Sequence, residues 1–290
     1  MFPLNRDRTL HLTLSLFAFI SIASLFFIIF FLIDGAWDVL NETSISQYIL
    51  DDAWYPTEGE FYLLPMIIGS LFIMIGAMLI SIPLGIFTAI LWQFYAPVWF
   101  STLLERVVEI LAGIPSVVFG FWGIMIIVPL LAQYQAPGTS LLAGILVLTL
   151  IVLPTITLVA NSTFQQVQQC HIKNAIALGL SRYTIIRHII FPQAHRGLTT
   201  GVILQAGRAI GETLAVLMVC GNVVQIPGNI FEPVRTLTSN IALEMAYAMD
   251  THRSALFLSG LLLMIIVLAL VLIAEKIKTN HTFESALRDK

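Results

Sequence analysis

The sequence predicts an all-α membrane protein that crosses the bilayer six times, and three observations carry this prediction. Of the 290 residues, 58% are hydrophobic and 11% are charged, with a mean hydropathy of +0.92. An average soluble domain carries about 25% charged residues. The apolar residues fall in runs long enough to cross a bilayer as helices. These runs do not alternate apolar and polar positions as the strands of a membrane β-barrel do.

Six apolar segments are each long enough to span the hydrocarbon, which takes about 20 helical residues. Pro83 lies inside the second segment, where it predicts a kink or an extension beyond the bilayer. Pro115 interrupts the third, so we expect a short segment to end there and a helix to begin at about Ser116. The six segments are roughly Leu12–Ile33, Leu63–Trp92, Val107–Ala132, Leu141–Ala160, Gly197–Cys220 and Ala255–Ala274.

The distribution of basic residues predicts that both termini are cytoplasmic. With this orientation, 11 of the 14 Lys and Arg residues lie inside, only Arg235 and Arg253 lie outside, and Arg208 lies within a span. Such a bias is strong by the positive-inside rule. The first outer loop is acidic and carries no basic residue. The inner residues are Arg6, Arg8, Arg106, Lys173, Arg182, Arg187, Arg196, Lys276, Lys278, Arg288 and Lys290.

The chain offers no segment large enough for a soluble catalytic domain. The longest inner loop, Asn161–Arg196, cannot hold an ATPase, so any ATP must be bound by another polypeptide. The six histidines and two cysteines show no metal-ligand spacing, and no nucleophile is paired with a base. The net charge of −3 gives no basic surface for nucleic acid. We therefore expect a protein that is not an enzyme and holds no metal or cofactor.

The inner loop between spans four and five is basic, with four Lys or Arg residues and no acidic residue. Its sequence predicts a short helix, a turn at Gly179, a second short helix and a stop at Pro192. A solvated loop that is basic because it faces the cytoplasm is the simpler interpretation of this composition.

Arg208 is the most informative charge, because it lies near the midplane of span five, about 16 Å along a helix from Gly197. A lone Arg there costs at least about 2.5–3.5 kcal/mol on insertion scales. Glu212 follows four residues later, so we expect the two side chains to share a helix face and to pair. The pair either holds helices together or lines a path for an oxyanion, which a guanidinium binds through two hydrogen bonds.

Residues 109–123 form a third candidate, a broken helix entry rich in small residues around Pro115. Broken helices within a membrane are tolerated where the freed backbone groups meet protein or a water-filled cavity. The helix start near Ser116 would favour an anion. A simple packing bend explains the same pattern.

The inner loop also resembles the coupling loop of ABC importer permeases, which pairs Glu-Ala-Ala and Gly with a downstream Ile-x-Leu-Pro. Ala175, Gly179 and Pro192 fall at the expected spacing, whereas Asn174 replaces the Glu and Phe191 replaces the Leu. The resemblance implies that Asn174–Gly179 contacts an ATP-binding subunit and transmits its closure.

Three longer stretches resemble the PstC-type permease of phosphate-uptake ABC transporters. They are EILAGIPSVVFG at 109–120, RAIGETLAV at 208–216 followed by Gly221-Asn222, and PVRTLT at 233–238 with ALE at 242–244. The companion PstA-type permease tends instead to have Arg-Ala-Ala-Gly-Glu-Thr-Ala-Pro. The resemblance covers about residues 60–275.

The resemblance implies a type I, MetI-like ABC permease fold with three parts: an amino-terminal transmembrane helix and acidic outer loop (1–62), the permease domain (63–275) and a cytoplasmic tail (276–290). It implies a path for inorganic phosphate lined by Arg208, Glu212, Thr213, Glu109 and Ser116. The implied partners are a PstA-type permease, two ATP-binding subunits and an extracytoplasmic phosphate-binding protein in a bacterial inner membrane. Sulfate or molybdate remains an alternative substrate, and an ion-coupled secondary transporter or channel is a different class of alternative.

Overall fold

The computed structural model describes residues 4–42, 49, 53–167 and 169–288, and these residues are mostly helical. Three π-helical turns extend or join helices, at Leu91–Tyr95, Gly123–Ile127 and Ile186–Ile190. In chain order the helices are α1 (Leu4–Gly35), α2 (Trp37–Glu42), α3 (Leu64–Ile90), α4 (Val98–Gly113), α5 (Ser116–Trp122), α6 (Val128–Ala132), α7 (Leu141–Gln165), α8 (Gln169–Ala177), α9 (Arg182–Ile185), α10 (Phe191–Ile210), α11 (Leu214–Val219), α12 (Leu237–Glu244) and α13 (Asp250–Arg288).

Four of the predicted spans are single long helices, within α1, α3, α7 and α13. The third predicted span is instead a bent pair, in which α4 and the segment Ser116–Ala132 meet at 91°. Ile114 and Pro115 have extended backbones between the two helices, because a residue before proline is driven out of the helical region. The predicted restart at Ser116 is confirmed.

The chain divides into two compact units, of which the first comprises Met1–Leu63 and Glu244–Leu262. In this unit the Glu244 side chain is buried. Its carboxylate accepts a hydrogen bond from Trp54 Nε1 at 3.0 Å and lies 2.9 Å from His252 Nε2. Phe61 packs edge-on against Trp54. Two of the acidic residues of the first outer loop, Asp51 and Asp52, lie outside the described residues.

The second unit comprises Leu64–Leu243 and Leu263–Lys290 and is built around the α3–α7 pair. The two helices approach closely because glycine and alanine lie at their crossing: a Cβ on Gly85 would stand 2.7 Å from Ile156. Ile73, Ala77, Leu148 and other apolar side chains form the buried core. Pro83 lies within α3, which runs unbroken through it.

The fifth predicted span, Gly197–Cys220, is not one continuous helix. α10 ends at Ile210, residues 211–213 are non-helical, and α11 starts again at Leu214. The predicted segment is therefore two helices joined by a break, and this break falls within the sequence Gly-Glu-Thr.

The inner loop follows the predicted order up to Gly179 and departs from it at Pro192. α8 ends before a turn at Leu178 and Gly179, and Gly179 has φ +74°. Pro192 does not stop a helix. It lies within a continuous helical run from Arg182 to Ile210, directly after the π-helical turn Ile186–Ile190, whose altered hydrogen-bond pattern accommodates a residue without an amide donor.

Candidate functional site

Arg208 lies in the last turn of α10, and its side chain is exposed on the surface of this single chain. Leu204 and Leu214 on either side of it are 47% and 50% exposed. In the part of the chain that the structure describes, the guanidinium makes no hydrogen bond or ion pair. A full positive charge therefore stands between two exposed leucines, without a counterion among the described residues.

Glu212 does not pair with Arg208 as the helical spacing predicted. The i,i+4 relation requires a continuous helix, whereas α10 ends two residues before Glu212. Among the described residues no ion pair joins the two side chains. Gly211 and Glu212 turn back through backbone amides that donate to the carbonyls of Arg208 and Ala209, at 3.2 Å each.

The break at 211–213 is held by hydroxyl groups. Thr213 donates to the Gly211 carbonyl at 3.1 Å, and Thr238 of α12 donates to the Glu212 carbonyl at 3.2 Å. Thr236 accepts from the Ser239 amide and so caps the start of α12. The bonds from Thr213 and Thr238 satisfy carbonyl groups that the interrupted helix leaves unpaired.

Arg235 joins α12 to the segment after α11 through side-chain hydrogen bonds. The sequence predicted only that Arg235 lies in an outer loop. Its Nε donates to the Asn222 carbonyl at 2.9 Å and its Nη1 to Asn240 Oδ1 at 3.0 Å. Asn240 is fully buried and Asn222 has φ +56°. The run of Arg, Thr and Ser at 235–239 gave no signal of this role, because such residues are mostly exposed in proteins.

Ser116 is brought to the level of the break by the packing of α5 on α11. Gly120 lies against Ala215, and Gly123 lies against Val219, so the two helices run in the same direction. Ser116 is the first residue of α5, one helical turn before Gly120, and Leu214 is the first residue of α11, directly before Ala215. The two helix starts, one after Pro115 and the other after Thr213, are therefore about one helical turn apart along the packed pair.

Glu109 remains apart from this group. It lies on α4, on the far side of the 91° bend from Ser116, and its side chain is exposed. No hydrogen bond or ion pair within the described ranges joins it to Arg208, Glu212 or Thr213. Of the five path residues predicted, Arg208, Glu212 and Thr213 lie at the break between α10 and α11, and Ser116 starts the helix that packs against α11.

The predicted coupling residues form a second, separate site on the inner loop. Gly179 occupies the position after α8 in a Schellman turn: the Gly179 amide donates to Ile176, and the Leu180 amide donates to Ala175. Ala175 is buried, whereas Asn174 is exposed. The turn presents Ile176, Leu178 and Tyr183 with 61%, 79% and 63% of their surfaces exposed.

An apolar groove of about 380 Å³ lies beside the coupling turn. Ile172, Ile176 and Leu180 form one side, and Phe94 of the turn after α3 forms another. Arg182 Nη1 donates to the Phe94 carbonyl at 3.3 Å, which ties α9 to the end of α3. The coupling turn is thus anchored to a long helix of the core.

Among the described residues, no group of three or more His, Cys, Asp or Glu side chains could hold a metal ion.

Comparison with known proteins agrees with this architecture. YqgH of Bacillus subtilis, a probable ABC transporter permease protein, is 37% identical over 249 residues, which are 84% of this chain and 81% of that protein. The phosphate transport system permease protein PstC of Haemophilus influenzae is 29% identical over 289 residues, 92% of this chain and 91% of that protein. PstC 1 of Mycobacterium tuberculosis is 32% identical over 246 residues, 76% and 73% respectively.

Two solved structures show the same fold at low sequence identity. A bacterial ABC transporter that imports the acidic polysaccharide alginate matches with a TM-score of 0.66 at 12% identity, over 96% of this chain and 97% of that chain. The inward-facing MetNI methionine ABC transporter matches with a TM-score of 0.55 at 18% identity, over 74% and 92%. The family model described as "binding-protein-dependent transport system inner membrane component" matches residues 81–278. The chain therefore belongs to this family of inner-membrane permease components and has the ABC importer permease fold.

Proposed function

We propose that this chain is one permease subunit of an ATP-driven importer of inorganic phosphate and forms half of the pore. The observation that carries the proposal is Arg208, an exposed cation on an apolar strip beside a broken membrane helix. The names of the PstC relatives support phosphate as the substrate.

An exposed Arg between two leucines is costly in lipid, so the strip needs a cover that also hydrates or pairs the charge. A second permease, of PstA type, meets that need. It covers Leu204 and Leu214 and leaves Arg208 facing a water-filled path between the two subunits. Phosphate then pairs with the guanidinium through two parallel hydrogen bonds.

Glu212 and Thr213 act in the same path from the non-helical segment beside Arg208. The Glu212 carboxylate repels the anion and limits how tightly it is held, which favours passage over storage. Ser116 contributes a hydroxyl at the same level. Glu109 lies apart, and we assign it an auxiliary role where the path meets the cytoplasm.

ATP acts through the coupling turn. Two ATP-binding subunits serve the permease pair, and the one that contacts this chain receives Asn174–Gly179. The exposed Ile176 and Leu178 provide an apolar contact that a solvated loop would lack. Pro192 starts α10, so movement of the turn is transmitted along the helix that carries Arg208.

An extracytoplasmic phosphate-binding protein delivers the anion on the outer side, and both termini lie in the cytoplasm. Delivery from a docked protein explains how phosphate enters beside an acidic outer loop, which would otherwise repel it.

The test is uptake of radiolabelled phosphate by cells that lack this chain, with and without the chain restored and with and without its ATP-binding partner. We expect uptake only when both are present, with excess sulfate or molybdate failing to compete. Competition by either anion would reassign the substrate. Uptake without the ATP-binding partner would indicate a secondary transporter.

A further inference from the structure

The contact between α7 and α10 follows one repeating pattern. Gly197 of α10 lies against Thr163 of α7, and one turn later Gly201 lies against Val159, each too close to admit a Cβ. Both series advance by four residues, in opposite directions. The next pair in this pattern is Gln205 and Thr155.

Gln205 breaks the pattern of small residues with a long polar side chain. The Thr155 hydroxyl lies 3.0 Å from Gln205 Oε1 and 2.8 Å from the Val152 carbonyl, and it shares its proton between these two acceptors. The bond holds the carbonyl end of the Gln205 amide toward α7. The Nε2 end is thereby directed away from α7.

Gln205 Nε2 has no hydrogen-bond acceptor in the described part of the chain, and the side chain is partly exposed. Arg208 follows three residues later, so the two side chains are neighbours on the surface of α10. An unpaired amide donor thus lies one turn below an unpaired guanidinium. Two donors so placed suit an oxyanion, whose oxygens all accept hydrogen bonds.

We infer that Gln205 donates to the transported oxyanion through Nε2 and that Thr155 is the positioning residue that directs this donor. The inference rests on the proposed function and deepens it. Arg208 supplies charge, whereas Gln205 supplies a neutral donor that contacts the anion without adding to its electrostatic trapping. The anion leaves Arg208 for Gln205 on its way toward the cytoplasmic end of α10.

The experiment uses the complete transporter in proteoliposomes, with phosphate as the probe, and measures phosphate transported per ATP hydrolysed. Gln205→Glu places a carboxylate at the donor, and Gln205→Met keeps the length without polarity. Thr155→Val removes the bond that orients the amide, and Thr155→Ser keeps it.

We expect the transport-to-ATP ratio to fall about tenfold or more in Gln205→Glu, as for loss of a hydrogen bond to a charged group. Gln205→Met and Thr155→Val should lower it severalfold, and Thr155→Ser should stay close to the parental ratio. ATP hydrolysis stimulated by the loaded binding protein should persist in all four variants.

A purely structural role for Gln205 predicts a different result, in which transport and ATP hydrolysis fall together and the ratio is unchanged. That result, or a parental ratio in Gln205→Met and Thr155→Val, overturns the inference. Arg208→Gln is measured in parallel. If Arg208→Gln also transports normally, the proposed anion path itself is wrong. If Arg208→Gln loses transport while the Gln205 variants transport normally, only the role of Gln205 is removed.

Discussion

At the scale of single residues, Arg208 was predictable and its environment was not. An Arg inside an apolar run is visible in the sequence, and its cost in lipid indicates a special role. The prediction that Arg208 pairs with Glu212 was wrong. The sequence from 208 to 216 contains no proline, so it predicts a continuous helix on which the two side chains share a face. Gly211 marks where α10 ends. Hydroxyl bonds from Thr213 and Thr238 stabilise the break, and Thr238 is distant in sequence.

Replacing Arg208 with Gln should lower phosphate uptake by roughly 10- to 100-fold, because a charged hydrogen bond to the anion contributes about 1.5–3 kcal/mol. Arg208→Lys should retain part of the activity, since it keeps the charge but loses the planar pair of donors. The measurement is uptake normalised to the amount of assembled transporter. Normal uptake by Arg208→Gln would show that the anion does not pass this residue.

At the scale of elements, the long helices were predictable and the irregular joints were only partly so. Pro115 correctly indicated a break, because Ile114 before it takes an extended backbone. Pro192 wrongly indicated a stop. It directly follows the π-helical turn Ile186–Ile190, and the helix continues through it to Ile210. The local sequence does not separate the two cases, since both follow apolar residues.

Arg235 should prove important for stability although it lies outside the anion path. Its fork joins the Asn222 carbonyl to Asn240, and Lys cannot reproduce two donors in that fixed geometry. We expect Arg235→Lys to destabilise the protein by about 1–3 kcal/mol. The check is thermal unfolding in detergent, with Arg253→Lys as the control at an exposed position. Equal stability of both variants would contradict the role of the fork.

At Gly179 we predict that the smaller of two substituted side chains is the more damaging to coupling. Its φ of +74° is unfavourable for residues with a Cβ, yet no atom lies within 4 Å of where a Cβ would stand. Asn tolerates this conformation better than Ala does. We therefore expect Gly179→Ala to retain less ATP-binding subunit on purification than the larger Gly179→Asn. The reverse order would mean that steric contact with the partner, rather than backbone strain, governs coupling.

At the scale of the whole molecule, the sequence predicted a membrane protein of long apolar helices because composition and run length depend on no tertiary contact. It predicted the interruption at Pro115 but not the 91° angle of the bend, and it did not predict the break in the fifth span. Those features depend on α5 packing along α11 and on α12 bonding back to the break. They are also the features that bring the start of α5 close to the break, where the proposed anion path runs.

In the proposed half-pore, the exposed strip around Arg208 is covered by a second permease, so this chain alone does not transport phosphate. Proteoliposomes that contain this chain alone should show no phosphate flux above empty vesicles, and addition of the second permease and the ATP-binding subunits should restore it. ATP-independent flux through the single chain would favour a channel or secondary transporter over a half-pore.

The central claim is that ATP-driven phosphate import passes Arg208. Its most direct measurement compares phosphate uptake and ATP hydrolysis in the same proteoliposomes, with the complete transporter and its loaded binding protein, for the parental chain and Arg208→Gln. The account predicts ATP-dependent uptake by the parental transporter and, in the variant, persistent ATP hydrolysis with at least tenfold less uptake. Equal phosphate uptake per ATP in the two transporters would contradict it.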